Sequence, residues 1–333
     1  MSSAAVVAGL GSWCPPRVLT NADLSSILDT SDEWIRSRTG IGRRHVVDPG
    51  MATADLATEA ARRALKSAGT DRVDAVVLAT TTPDRPCPGT APEVASRLGL
   101  TGVAAFDVAA VCSGFLYGLA TGAGLIGSGV AEQVLVIGAE AFTTILDPAD
   151  RTTRAVFGDG AGAVVLRAGA ADDLGAVHAF DLGSDGELAD LIAVPAGGSR
   201  QRSTGRPAAE SEHYFAMDGK RVFKHAVVRM SASIQATLAR AGLGVDDVDH
   251  LVAHQANARI LAAVAERAGI PADRVVSNIE LVGNTAAASV PLALAHASAS
   301  GRLRAGQLVL LTAFGGGLTW GSCLLRWPAV TAV

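Results

Sequence analysis

A cysteine standing between an apolar strand and an apolar helix is the residue of this chain with the setting of a nucleophile. In Val103-Ala-Ala-Phe-Asp-Val-Ala-Ala-Val-Cys112-Ser-Gly-Phe-Leu-Tyr-Gly118 the thiol falls where the helix begins. Unpaired N–H groups and the positive end of the helix macrodipole favour thiolate over thiol at such a place. Read without that setting, Cys112 is a small buried hydrophobe, the commoner fate of a free cysteine; local context weighs the two equally. His254, in Val252-Ala-His-Gln-Ala-Asn257-Ala-Arg259, ends a second apolar run. Ends of parallel strands are where α/β folds collect functional groups, which raises this histidine above the other six. Asn284, in Val282-Gly-Asn-Thr-Ala-Ala-Ala-Ser289, precedes an alanine-rich segment and is suited to capping it. Ala313-Phe-Gly-Gly-Gly317-Leu-Thr-Trp-Gly321 offers backbone N–H groups with no side chain in the way. Beside a nucleophile these N–H groups, with that of Cys112, would make an oxyanion hole. The chemistry open to such a set is nucleophilic attack by a thiol, with backbone N–H groups holding the oxyanion that forms.

These residues need strands and helices to hold them, and the chain supplies them twice. Ala64-Leu-Lys-Ser-Ala-Gly69, followed by Val73-Asp-Ala-Val-Val-Leu78, is echoed by Thr237-Leu-Ala-Arg-Ala-Gly242, followed by Val248-Asp-His-Leu-Val-Ala253. Leu56, Ala60 and Ala64 in the first unit, and Ala226, Met230, Ile234 and Leu238 in the second, recur every four residues and give each helix one apolar face. Gly69 and Gly242 follow, able to end the helices in the left-handed conformation. A further echo links Val134-Leu-Val-Ile-Gly138 with Leu308-Val-Leu-Leu-Thr312. All offsets lie near 175 residues, so two similar α/β halves are expected, 1–174 bearing the cysteine and 175–333 bearing His254 and Asn284. Gly114, Gly118 and Gly122, spaced by four on one helix, predict a close neighbour, and the small-residue segment Ala286–Leu294 is the expected one. Asp185 to His213, rich in Gly, Ser, Arg and Pro, reads as an excursion near the half boundary.

Composition narrows the class. With 333 residues, 49% hydrophobic, 18% charged and a net charge of −4, the chain is too apolar and too weakly charged to be disordered or to coat nucleic acid. Aromatics are only 4%, so Ala, Val and Leu must fill the core. No apolar stretch reaches the roughly 20 residues of a membrane span, and no signal peptide is recognised, so a cytoplasmic protein without a membrane partner is expected. Cys14, Cys87, Cys112 and Cys323 are scattered, which supports neither a disulfide framework nor a metal site.

The ordered set of Asp29-Thr-Ser-Asp-Glu-Trp34-Ile-Arg-Ser-Arg38-Thr-Gly-Ile, Asp107-Val-Ala-Ala-Val-Cys112-Ser-Gly, Phe157-Gly-Asp-Gly-Ala-Gly162, His254-Gln-Ala-Asn257, Gly283-Asn284-Thr and Phe314-Gly-Gly-Gly317 resembles the β-ketoacyl-ACP synthase III family over nearly the whole chain. The resemblance implies the thiolase fold, an α/β architecture of duplicated βαβ halves in five layers, αβαβα, and a homodimer. It implies a catalytic triad of Cys112, His254 and Asn284, an oxyanion hole from the N–H groups of Cys112 and Gly316, and a decarboxylative condensation of acyl-CoA with malonyl-ACP that needs neither metal nor redox cofactor. Related elongating synthases use Cys-His-His and thiolases Cys-His-Cys; Asn284 marks the chain-starting branch. Trp34 and Arg151 are implied to clamp the adenine of CoA, with Thr30 close by and Arg38 near the phosphates, while Phe223, Asn257 and Arg259 border the pantetheine channel. Lys220, Arg221, Lys224, Arg259 and Arg267 are implied to meet the acidic acyl carrier protein, although Glu266 interrupts that surface. The acyl pocket is implied to be lined by Phe142, Phe157 and Cys87. Acetyl-preferring members carry a phenylalanine at the last position, reaching into the partner's pocket, so the smaller Cys87 predicts a short or branched starter and favours polyketide priming over housekeeping fatty-acid initiation. An acyl transfer without decarboxylation, a non-catalytic partner subunit and a cysteine hydrolase are the competing readings.

Overall fold

A computed structural model describes residues 3–332. Nine strands make its main sheet: β1 (Ala4–Trp13), β2 (Ala75–Ala79), β3 (Ala104–Val108), β4 (Gln133–Glu140), β5 (Gly160–Gly169), β6 (Ala176–Ser184), β7 (His250–Ala253), β8 (Leu308–Gly315) and β9 (Thr319–Arg326). Five helices of eleven or more residues flank it: α1 (Thr53–Ala68), α2 (Gly114–Gly127), α3 (Gly219–Ala241), α4 (Ala258–Ala268) and α5 (Ser289–Ala299).

The strand order is β7-β8-β9-β6-β1-β5-β4-β2-β3. Reading outward from the β1–β6 seam, each half repeats one pattern. β1 pairs antiparallel with β5, β5 antiparallel with β4, and β4 parallel with β2. Likewise β6 pairs antiparallel with β9, β9 antiparallel with β8, and β8 parallel with β7. β3 extends the first half beside β2, and a single parallel bridge, Leu251 to Val275, stands in its place in the second. Two paired positions, Ala5–Val177 and Val6–Ala176, join the halves at the seam, with the Val7 N–H donating to Gly175 O at 2.8 Å beside them.

Helices complete five layers. α1 covers the outer face of the first half, α2 and α5 lie between the halves, and α3 with α4 cover the outer face of the second. The inner helices are apolar nearly all round, as a helix buried on both sides must be, whereas α1 shows a clean buried face of Leu56, Ala57, Ala60, Ala61 and Ala64. Gly69 and Gly242 end α1 and α3 at φ 66° and 68°, conformations that glycine adopts without strain. The thiolase fold and its duplication are thus both present.

The glycine spacing on α2 has a different partner from the expected one. A Cβ on Gly118 would lie 3.0 Å from Val136 Cγ1, and one on Gly122 would lie 2.9 Å from Leu166 and 3.1 Å from Val136. The ridge therefore faces strands β4 and β5, and only Gly114 comes near the alanine-rich segment, 3.6 Å from Ala287 Cβ. Bulky branched side chains on the sheet require a bare helix against them. The segment after Asn284 is accommodated from the sheet side, by Gly138 in β4, where a Cβ would lie 2.4 Å from the Ala287 carbonyl oxygen.

Candidate active site

Cys112 sits in a tight turn, Val111–Ser113, between β3 and α2. Val111 takes φ 47°, a costly conformation for a β-branched residue. The turn is held from the second half of the chain. A Cβ on Gly315 would lie 2.7 Å from Cys112 N and 3.0 Å from both Ala110 O and Ser113 N, so glycine alone allows this approach. Thr319 Oγ1 lies 3.1 Å from Ala110 O and 2.9 Å from Gly316 O, and Ser113 Oγ reaches it at 2.8 Å. These hydroxyls link the turn to the glycine loop. Gly316 itself packs on Ile192 and is not among the residues facing the cavity.

His254 follows β7 directly, its N–H donating to Thr312 O at 2.8 Å. Its ring is buried, and Nδ1 lies 2.6 Å from Ser289 Oγ at the start of α5. Behind it the Gln255 side chain donates to Ala253 O and accepts from Asn278 N, bracing the loop. Asn284 is threaded into the first half: its N–H donates to Val156 O and its carbonyl accepts from Gly158 N, both at 2.9 Å. Its side-chain Oδ1 accepts the Ala286 N–H at 2.9 Å. The cap leaves the amide NH2 as the end turned away from the backbone.

Cys112, His254 and Asn284 line one cavity of about 100 Å³ with Phe157, Phe215 and Phe314. Its floor is aromatic. Phe142 stacks on Phe157 at 4.4 Å, and Phe215 meets both edge-on at 5.0 and 5.1 Å. Phe157 faces the cavity and Phe142 stands behind it. Ile192 arrives from within the Asp185–His213 excursion and Phe215 and Met217 from just beyond it, Ile192 pairing with Met217 in a two-stranded ribbon, so the stretch between β6 and α3 closes the site. Sequence reasoning missed them because that stretch has no periodicity to read.

The electrostatics correct one expectation. The helix N-terminus stands where the sequence placed it, yet burial pushes the Cys112 thiol up, and the buried carboxylate of Glu140 pushes the same way. A macrodipole contributes at most about 2 kcal/mol, roughly 1.5 pKa units, whereas full burial shifts a group by up to roughly 3–5 units. Burial wins, and the resting thiol is neutral. Burial also lowers His254 to about 3, so the imidazole is uncharged.

Among the residues implied to hold CoA, Trp34, Arg38 and Arg151 come together. The guanidinium carbons of Arg38 and Arg151 lie 5.0 and 5.3 Å from the Trp34 ring, and Arg151 is held by Asp29 at 3.0 Å. Thr30 has a buried hydroxyl with no partner. Asn257 caps α4 through Ile260 N and lines the cavity. Phe223 and Arg259 are exposed on α3 and α4 and do not line it. Lys220, Arg221, Lys224, Arg259 and Arg267 are exposed on the same two packed helices, and among the described residues none of them is in an ion pair. Cys87 is exposed on the loop after β2, outside the cavity of its own chain. The described residues contain no helix long and apolar enough to cross a membrane.

Comparison with known proteins gives the family and the fold. The family model described as 3-Oxoacyl-[acyl-carrier-protein (ACP)] synthase III matches residues 106–186, and that of its C-terminal part matches 238–327. A Streptomyces coelicolor protein named beta-ketoacyl-[acyl-carrier-protein] synthase III 3 is 62% identical, with all of both chains covered. The crystal structure of 3-oxoacyl-(acyl carrier protein) synthase III from Pseudomonas aeruginosa superposes with a TM-score of 0.92 at 55% identity, covering 98% of this chain and 99% of that one. A priming β-ketosynthase from a polyketide biosynthetic pathway superposes with a TM-score of 0.91 at 35% identity, covering 98% and 97%.

Proposed function

Because the chain belongs to the 3-oxoacyl-[acyl-carrier-protein] synthase III family, we propose that Cys112, His254 and Asn284 carry out its reaction on a short or branched acyl-CoA starter. The chain is an acyltransferase of that class, performing the initiating condensation of acyl-CoA with malonyl-ACP. The observation that carries the reading is the convergence of a thiol, an imidazole and an amide on one small apolar cavity.

Cys112 Sγ attacks the thioester carbon; its bond to carbon forms as the bond to the CoA sulfur breaks. The neutral thiol gives its proton to the departing CoA thiolate. The N–H of Cys112 and a backbone N–H of the Phe314–Gly317 loop, whose Gly315 lines the cavity, hold the oxyanion on the way. A malonyl group on acyl carrier protein then enters, and loss of CO₂ leaves an enolate. His254 and the Asn284 amide donate hydrogen bonds to its oxygen. The enolate carbon attacks the acyl-cysteine, the carbon–sulfur bond breaks, and the Cys112 thiolate regains a proton from solvent.

The cavity beside Cys112 is small, about 100 Å³, and the packed rings of Phe142, Phe157 and Phe215 close it on one side, which suits a propionyl or isobutyryl group. This supports the short or branched starter and, through it, polyketide priming; housekeeping fatty-acid initiation is the alternative. The unpaired basic face of α3 and α4 suits an acidic carrier protein, with Trp34, Arg38 and Arg151 at the adenine and phosphates of CoA and Thr30, Phe223, Asn257 and Arg259 along the channel. A second copy fits the β3 edge, where Phe106 is 37% exposed and the strand's outer backbone groups invite pairing. Asp107 in β3 accepts from Thr90 N and Ala91 N at 2.7 Å, so the Cys87 loop is tied to that edge and would face the partner's pocket.

The test is intact-mass detection of acylated protein across a series of acyl-CoAs, with Cys112→Ala as control, followed by malonyl-ACP. Acylation and release as a β-ketoacyl product are expected for propionyl- and isobutyryl-CoA. Acylation without that product overturns the condensation.

A further inference from the structure

An imidazole donates into the cavity only when its proton sits on the nitrogen that faces the cavity, and the partner of the other nitrogen decides this. His254 lines the cavity and has Nδ1 bound to Ser289 Oγ at 2.6 Å, so Nε2 is the nitrogen turned to substrate. Ser289 is wholly buried, and its oxygen also accepts the Gln255 N–H at 3.2 Å. A hydroxyl has one proton and two lone pairs. If Nδ1 carried the ring proton and donated to Ser289, the serine's own proton would have no acceptor among the described residues, since Oγ makes only these two contacts. Buried donors are rarely left so. If the serine donates to Nδ1, the Gln255 N–H fills one lone pair and every group is satisfied. The start of α5 beside the ring adds positive potential that disfavours imidazolium.

We propose that Ser289 is a positioning residue: by donating to Nδ1 it holds His254 neutral with its proton on Nε2, aimed at the enolate oxygen. The proposal rests on the reading of His254 as a donor to the enolate. One consequence separates the half-reactions. With Nε2 already protonated, His254 is not the base that deprotonates Cys112, so Ser289 matters more for decarboxylation than for acylation.

The direct test uses the full-length wild-type protein labelled with ¹⁵N-histidine. Two-bond proton–nitrogen correlations, assigned with His254→Gln, should show Nδ1 unprotonated and Nε2 protonated at neutral pH. A protonated Nδ1 overturns the assignment of Ser289. In Ser289→Ala, malonyl-ACP decarboxylation should fall about tenfold or more, short of the roughly 10²–10³ that follows loss of a whole oxyanion donor. Cys112 acylation should fall less. Equal losses in both steps mean a merely structural serine and overturn the proposal. Ser289→Thr, which keeps the hydroxyl, should restore decarboxylation. Decarboxylation unchanged in a Ser289→Ala protein whose tautomer has shifted refutes instead the enolate-donor reading of His254.

Discussion

Replacing Gly315 by alanine should cripple acylation while leaving a folded protein. The added Cβ would sit 2.7 Å from Cys112 N, against the 3.4 Å at which ordinary contact begins. About 0.7 Å of movement is needed, and the atoms met, Cys112 N, Ala110 O and Ser113 N, are all backbone. No rotamer relieves the clash, and the turn is already strained at Val111, with φ 47°. Either the turn or the glycine loop must retreat, and each supplies one N–H of the proposed oxyanion hole. A misplacement of about 1 Å at a reacting group costs about 10²-fold, so the single-turnover acylation rate should fall roughly 10- to 100-fold, with overpacking lowering stability by about 1–3 kcal/mol. Time-resolved intact-mass measurement at saturating acyl-CoA reads the rate. Gly124→Ala serves as the control: no atom lies within 4 Å of its Cβ, so it should gain up to about 1 kcal/mol from helix propensity and acylate normally. Acylation of Gly315→Ala within twofold of wild type would sink the reasoning.

Cys87→Phe should shift starter preference from isobutyryl towards acetyl in competition assays; an unchanged preference removes Cys87 from the partner's pocket. Trp34→Ala should raise KM for acyl-CoA about 5- to 30-fold, equivalent to about 1–2 kcal/mol of stacking, with kcat nearly constant. A fall in kcat alone would count against a CoA-binding role. His254, lowered to about 3 in the fold from about 6.5 unfolded, contributes acid lability. Below pH 6.5 the unfolded chain binds a proton that the folded one refuses, so stability is full above that pH and is lost as pH falls towards 3. At pH 4.5 the loss is about 3 kcal/mol. Glu140 and Asp159, raised to about 7 and about 6 by burial, act in the opposite sense, but they are present in wild type and variant alike. Denaturant unfolding of wild type and His254→Gln at pH 7 and 4.5 isolates the histidine, and an identical stability difference at both pH values refutes the assignment.

The site was legible in the sequence wherever chemistry dictates a residue type at the end of an element. Cys112, His254, Asn284 and the Phe314–Gly317 loop all stand at such ends, and the helix–Gly–strand echo together with the strand echo revealed the duplication that brings them together. What could not be read was environment. Nothing near Cys112 in the chain announces Glu140, 28 residues on, or the burial that keeps the thiol neutral. Spacing by four showed that α2 is closely approached, but a bare helix face suits a sheet of valines as well as another helix. Phe215 and Ile192 belong to a stretch shaped by what it covers, with no period of its own. Cys87 carries a role, if the dimer is as proposed, only in a neighbour's pocket.

Duplication explains why these particular positions meet. Val111 and Ala286, 175 residues apart, are both held at positive φ, 47° and 44°, and each opens a tight turn leading into an inner helix. The two turns touch at the centre of the molecule. Each is approached by a strand glycine of the opposite half, Gly315 against Cys112 and Gly138 against Ala287. The same offset pairs Gly114 with Ser289 and Ala79 with His254. In the first half a Cβ at 114 would lie 3.0 Å from Ala79 Cβ, and in the second the serine and histidine occupy that contact as a hydrogen bond of 2.6 Å. One turn therefore bears the nucleophile against bare packing, while its counterpart carries Ala287 at the matching position and the serine–histidine pair beside it. A reaction that must first accept an acyl group and then stabilise an enolate beside it requires this asymmetry. Two symmetric turns would give two thiols and no donor.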